Sequence, residues 1–266
     1  PTVKGVSTNY MSPVIRVEFS EPLDDSAASA KNYLVEPSIA VKSVTLSADH
    51  KTATVELASA PEVDKTYHLN VKDIKDASPA HNASKAASLE VRVTGPVYKL
   101  EAVTKEMMGK AIKNVPGLPV KGGDKWTMSM FVKTDKQPDN RTIIAGFGKC
   151  EDGTAGIARY FSKFANGLQF WVCNRDVPSK TPLELGKWQM LTATYDGTVL
   201  RMFKDGVKVG ERKVQLADDE NVVNFAPVDP WEKKRTFEGE IRGVTIWNSA
   251  LGEEAIRSLK ESTRVP

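Results

Sequence analysis

Apolar and polar residues alternate along most of this chain with the period of two that a pleated strand imposes. The run "GKWQMLTATYDGTVLRMFKDGVKVG", residues 186–210, shows it most plainly. Leu191, Ala193 and Tyr195 oppose Trp188, Met190, Thr192 and Thr194, and Leu200 and Met202 then oppose Val199, Arg201 and Phe203. Asp196-Gly197 and Asp205-Gly206 separate the runs, and Asp-Gly between alternating segments signals a hairpin with a type I′ turn. The same rhythm predicts strands in "SPVIRVEFSEPLD", in the hairpin "SVTLSADHKTATVELAS", and in "TYHLNVKDIKD" and "SLEVRVTG". "DDSAASAKNY" reads as a helical turn or crossover. Further strands follow in "KWTMSMFVK", "RTIIAGFGK", "GIARYFSKF", "GLQFWVCN" and "TFEGEIRGVTIWN". "GEEAIRSLKES" closes the sequence as a short helix, with Glu253 and Glu254 suited to the positive end of its dipole.

The rhythm breaks once, at the Gly-Pro pair of "VTGPVYKL". It predicts two all-β domains, an N-terminal sandwich over 1–96 and a second over 97–266 with the C-terminal helix.

Composition narrows the class. The 266 residues are 40% hydrophobic and 27% charged, with a net charge of +3. The charges are interspersed, without the basic block expected of a nucleic-acid partner. No apolar run approaches the length of a membrane span. The sequence opens on "PTVKGVSTNY" without Met or a signal peptide, which suggests a piece of a longer precursor.

"VEFSEPLD…ASAKNYLVEPSIAVKSVTLSADHKTATVELASAPEVDKTYHLNVKDIKD" resembles the bacterial Ig-like domains of secreted and surface proteins. In that family the module is a spacer or platform. In the second half, "WTMSMFVK", "GKW…ATYDG…LRMFKDG" and "FEGEIRGVTIWNSAL…EEAI" resemble the laminin-G-like, or concanavalin A-like, jelly roll. That fold hosts lectins, adhesion modules, hydrolases and lyases, so function rests on the site. The two resemblances imply an extracytoplasmic protein, secreted or on the cell surface.

Candidate chemistry is sparse. His50, His68 and His81 all lie in the first half, which leaves the jelly roll without a Ser-His-Asp arrangement or most zinc sites. Glu238 and Glu240 share one strand face and form the strongest carboxylate pair, but the next position on that face is Arg242 rather than a third acid. "EDG" at 151–153 and "ADDEN" at 217–221 read as solvated acidic turns. Calcium is plausible in the family, but neither loop has a full ligand ladder and no metal or cofactor is assigned. Cys150 and Cys173 are expected at the same end of a meander, one strand apart. An exported domain favours a bridge between them and that spacing resists it.

Trp126, Trp188 and Trp247 read as core. Trp171 falls opposite the apolar Leu168, Phe170 and Val172, on a face with Gln169, and Trp231 stands in a loop. If the hairpin register sets Arg159 beside Trp171, these residues, with Asn174 and Arg175, gather an aromatic plate and directed polar groups, as a sugar site needs. Packing of Trp171 under a loop is the competing reading. The expectation is a non-catalytic accessory piece that binds a glycan or other cell-surface polymer and presents a catalytic domain elsewhere in a longer chain. The alternatives are a glycoside hydrolase or lyase using Glu238 and Glu240, and a purely structural spacer.

Overall fold

In the computed structural model, which describes residues 1–8, 10 and 12–262, the chain divides into two compact units, Pro1–Gly95 and Pro96–Pro266. The first contains β1 (Val3–Thr8), β2 (Val14–Phe19), β3 (Tyr33–Glu36), β4 (Val41–Leu46), β5 (Thr52–Leu57), β6 (Thr66–Val71) and β7 (Ala87–Arg92). They form an antiparallel sheet in the order β1-β2-β5-β4 and another in the order β3-β6-β7. Alternation decides what is buried. Ile15, Val17 and Phe19 point into the core while Arg16 and Glu18 face water, and Ala53, Val55, Leu57, Tyr67, Leu69 and Val71 meet them there. The expected helical turn is a 3-10 turn over Asp25–Ala28, with the Asp24 side chain accepting a hydrogen bond from Ser26 N.

β1 breaks the period-two rule. Val3 and Val6 are three apart, yet both pack on the core, because the register with β2 shifts between Val3 and Gly5. Such a shift inverts the face that each following side chain takes.

The second unit contains β8 (Tyr98–Ala102), β9 (Ala111–Lys113), β10 (Trp126–Lys133), β11 (Ile143–Phe147), β12 (Arg159–Phe164), β13 (Gly167–Trp171), β14 (Val177–Pro178), β15 (Gln189–Tyr195), β16 (Val199–Lys204), β17 (Val207–Lys213), β18 (Val222–Phe225), β19 (Glu240–Trp247) and the helix α1 (Glu253–Ser262). Two six-stranded antiparallel sheets result, ordered β17-β16-β15-β10-β19-β8 and β14-β13-β12-β11-β18-β9. Between them lies one core, in which Trp126, Met128 and Met130 of the first sheet meet Phe147, Phe161 and Phe170 of the second. Trp126 sits 5.2 Å from Phe147, edge to face, and 5.6 Å from Phe170.

The outer face of the first sheet is also covered. Thr127 Oγ1 donates to Ser249 O and accepts from Leu251 N, both at 2.8 Å, which ties down the segment after β19. In α1, Ala255, Ile256 and Leu259 are buried, and Lys260 pairs with Asp205 at 2.7 Å. Of the tryptophans expected in the core, Trp126 and Trp247 are buried. Trp188 is only half-buried, at the sheet surface, with the Arg242 guanidinium 5.1 Å from its ring. Among the described residues no helix is long and apolar enough to cross a membrane.

Candidate functional site

The outer face of the second sheet carries a second apolar cluster. Alternation sends Leu168, Phe170 and Val172 to the main core and leaves Gln169, Trp171 and Cys173 on the other side. The register pairs Tyr160 with Trp171 and Ser162 with Gln169. Tyr160 and Trp171 therefore stack on one face, ring centroids 6.0 Å apart, with Ile143 and Ile157 around them. The Tyr160 hydroxyl donates to Gly148 O and accepts from Asn224 Nδ2 at 2.6 Å, so this buried polar group is satisfied. Trp231 lies on Trp171 at 4.9 Å. Beside this stack opens a pocket of about 250 Å³, with Ser162, Gln169 and Trp171 in its lining.

Loops build the walls. The fully buried Asp229 organises the turn that carries Trp231, accepting from Trp231 N (3.2 Å), Glu232 N (2.8 Å), Lys234 N (3.0 Å) and Arg235 N (2.9 Å). Burial alone raises its pKa, but these backbone N–H groups overcome it and hold the carboxyl below its ordinary range. Trp231 Nε1 donates to Asp152 Oδ2 at 3.0 Å, and Cys173 Sγ donates to the other oxygen at 3.3 Å. Arg141 sets its guanidinium 5.5 Å from the Trp231 ring, within cation–π reach. Its backbone is left-handed (φ 69°), as is that of Asn174 (φ 63°), so two pocket residues hold a conformation uncommon away from glycine. Asp176 completes the wall, its Oδ1 accepting from Val172 N at 2.9 Å. Burial, helped by the charge of Asp152, pushes the Asp176 carboxyl up against that N–H and the charge of Arg212.

Four of the residues expected at a binding site therefore share the pocket: Gln169, Trp171, Asn174 and Trp231. Two do not. Arg159 lies on the core-facing side of β12, because the register places Tyr160 opposite Trp171. It is fully buried, pairs with Asp219 at 2.7 Å and donates to Ala217 O at 3.0 Å. Arg175 belongs to the turn after β13, where its N–H bonds Val172 O, outside the lining. Trp171 is 3% exposed, a floor packed beneath a loop rather than an open plate. Arg141 and Asp176 escaped the sequence reading, and Asp152 entered it only as part of an acidic turn, since each sits in a loop outside the strand alternation that singled out Gln169 and Trp171.

The remaining candidates resolve as follows. Glu238 is exposed and pairs with Lys136 at 3.1 Å, and Glu240 pairs with Arg242 at 3.1 Å. Neither lines the pocket. In the 217–221 segment Asp218 and Glu220 are exposed, as a solvated acidic turn requires, but the Asp219 side chain is buried and both its oxygens are taken by N–H donors. Among the described residues no three His, Cys, Asp or Glu side chains gather as a metal site requires. Cys150 and Cys173 are free thiols rather than a disulfide, because β12 separates the strands that lead to them and Cys173 Sγ is engaged by Asp152 and Gly153 N. Burial pushes the Cys150 thiol up to about 12.

Comparison with known proteins matches residues 110–257 to the concanavalin A-like lectin/glucanases superfamily and residues 2–92 to the bacterial Ig-like domain. A surface-layer 125 kDa protein of Lysinibacillus sphaericus is 32% identical over 121 residues, 44% of this chain. The match spans only 10% of that relative's length. Among solved structures, a Bacteroides ovatus protein proposed to bind carbohydrate aligns over 95% of this chain and 76% of its own, at 15% identity and a TM-score of 0.43. Domain 4 of an extracellular arabinanase of Geobacillus stearothermophilus, solved with arabinotriose, aligns over 76% and 80%, at 12% identity and a TM-score of 0.39. Likeness that low adds nothing to the architecture described above. The family matches, in the same order as the two units, show that this chain belongs to the concanavalin A-like lectin/glucanase superfamily and carries a bacterial Ig-like domain ahead of that fold.

Proposed function

We propose that the second unit binds carbohydrate without turning it over, as an accessory module of a longer cell-surface protein in which the Ig-like unit is a spacer. One observation carries the reading: the Trp171–Trp231 pair, its rings inclined at 60°, meets Gln169, Asn174, Asp176 and Arg141 in a single pocket. A sugar offers apolar C–H faces and a girdle of hydroxyls that both donate and accept, and this lining answers each with aromatic edges, amides, a carboxylate and a guanidinium. The surface-layer relative supports the cell-surface setting. A glycosidase needs two carboxyls free to flank one bound sugar. Glu238 and Glu240 are ion-paired in solvent away from the pocket. Of the two carboxyls in the lining, Asp152 has both oxygens engaged by Trp231 Nε1 and Cys173 Sγ, while Asp176 Oδ1 accepts from Val172 N.

A glycan array followed by calorimetry on the whole chain tests this. The expected dissociation constant is about 1 μM to 1 mM, the range of roughly −8 to −4 kcal/mol. Trp231→Ala and Asn174→Ala should each weaken binding tenfold or more while leaving the melting temperature nearly unchanged, because both side chains are partly or fully exposed. Trp171→Ala should instead lower the melting temperature strongly, as loss of a buried aromatic does. Undiminished binding in both Trp231→Ala and Asn174→Ala would remove the pocket from the reading. Turnover of any glycan on the array would remove the non-catalytic part.

A further inference from the structure

Three cross-strand pairs of β12 and β13 stand in a row on the face that carries the pocket. Alternation puts Tyr160, Ser162 and Phe164 there from β12, and the register sets them opposite Trp171, Gln169 and Gly167. The first pair is buried against Trp231, the second supplies the polar floor, and the third ends the hairpin. Because its partner is glycine, no side chain reaches Phe164 from the facing position, and it stays 44% exposed while Trp171 is 3% exposed. Both belong to the pocket lining. The tip is held in place, since Ala165 N donates to Asn140 Oδ1 and Arg141 N donates to Lys163 O, each at 2.8 Å. From there Arg141 turns its guanidinium back to within 5.5 Å of the Trp231 ring and flanks the row.

Tyr160 and Phe164 are four residues apart, about 13 Å along an extended strand, which is more than one sugar ring covers. A single sugar held at Trp231 and Gln169 leaves Phe164 without a contact, although its ring stands on the same face. Single exposed apolar residues are ordinary on a protein surface, but this one continues a row that already lines a pocket. We infer that the site takes an oligosaccharide lying along β12 and β13, with one sugar at Trp231 and the polar floor and a following sugar on the Phe164 ring. Phe164 supplies what the buried Trp171 does not, an open aromatic face for the C–H surface of a sugar. This inference rests on the carbohydrate reading above and goes beyond it by naming the length and direction of the ligand.

The test uses the whole chain and a panel of methyl glycosides of glucose, galactose, mannose, arabinose and N-acetylglucosamine, each with its linear oligosaccharides of two to six units. Calorimetry reads the oligosaccharides and ligand-observed NMR the single sugars. For the best sugar, affinity should rise about tenfold from one unit to three, the scale of one added aromatic contact, and then level off. Phe164→Ala should remove that rise while leaving the single sugar within about twofold of its original affinity and the melting temperature unchanged, since the side chain stands half in water. Phe164→Tyr, which keeps the ring, should keep the rise. A flat affinity from one unit to three, or a rise that survives Phe164→Ala, would overturn the second contact and leave carbohydrate binding intact. An equal loss for the single sugar and the trisaccharide in Phe164→Ala would overturn the lengthwise arrangement. Absence of binding to every sugar and oligosaccharide in the panel would fail the carbohydrate reading itself, and this inference with it.

Discussion

Asp219 joins three separate stretches of the second unit through its two carboxylate oxygens. Oδ1 accepts from Lys149 N (2.7 Å) and Glu220 N (2.8 Å), and Oδ2 from Ala158 N (2.8 Å) and Arg159 Nη1 (2.7 Å). Neither side chain of the Arg159–Asp219 pair is more than 1% exposed. Gly148 (φ 87°) leaves room for this packing, since a Cβ there would lie 2.2 Å from Asp219 Oδ2. Removing one partner of a buried pair leaves the other charge desolvated and uncompensated, and that penalty exceeds the net worth of the pair. Asp219→Ala should therefore lower stability by about 3–5 kcal/mol, read from the urea midpoint by tryptophan fluorescence. Adding Arg159→Met should recover part of the loss, because no charge then remains buried. A loss below about 1 kcal/mol, the scale of an exposed pair, would show that Arg159 finds water in the folded state. Sequence alone could not reveal this role: "ADDEN" has three acids, and only the fold of the 214–221 segment over β12 decides which one is buried.

The same dipeptide makes two different turns. At Asp205-Gly206 both residues have positive φ, 51° and 80°, as the expected type I′ turn requires. At Asp196-Gly197 only the glycine does (φ 95°), and the connection runs to three residues, closed by Asp196 Oδ1 accepting from Thr198 N (2.9 Å) and Val199 N (2.8 Å). Loop length selects turn type, so Asp-Gly marks where a hairpin turns without fixing its geometry. Gly206→Ala should cost about 1–2 kcal/mol, the strain of a left-handed L-residue. The nearest atom to the added Cβ is 3.3 Å away on the flexible Arg257 side chain, so steric conflict adds little. An unchanged urea midpoint would mean that the turn relaxes into another type. Legibility at this scale followed length and one-sided burial. β2, β5 and β6 alternate cleanly and were readable. β9 and β14 have three and two residues, and β18 is four residues buried throughout, so none of them offers a period to detect. Of the pocket, Gln169, Trp171 and Asn174 on β13 and the turn after it, and Trp231 in its loop, could be anticipated. Ser162, Lys163 and Phe164 come from β12 and Arg141, Asp152 and Asp176 from loops, and the fold brings these to the same place.

At the scale of the molecule, the division near Gly95 has an optical consequence. All five tryptophans, Trp126, Trp171, Trp188, Trp231 and Trp247, fall in the second unit, and the first has none. Each unit encloses its own core, one around Ile15, Val35 and Leu69 and the other around Trp126, Phe161 and Phe170. Each core lies between a complete pair of sheets, which is what independent folding needs. Tryptophan fluorescence should therefore follow the second unit alone, while far-ultraviolet circular dichroism follows both. On heating or in urea the two signals should diverge, and a fragment spanning residues 96–266 should reproduce the fluorescence midpoint of the whole chain. Asp219→Ala should move only the fluorescence transition and the matching part of the dichroism, leaving the remainder where it was. Coincident transitions in the whole chain, together with a shifted midpoint or aggregation of the 96–266 fragment, would show one cooperative body in which the Ig-like unit is required for the jelly roll to stand.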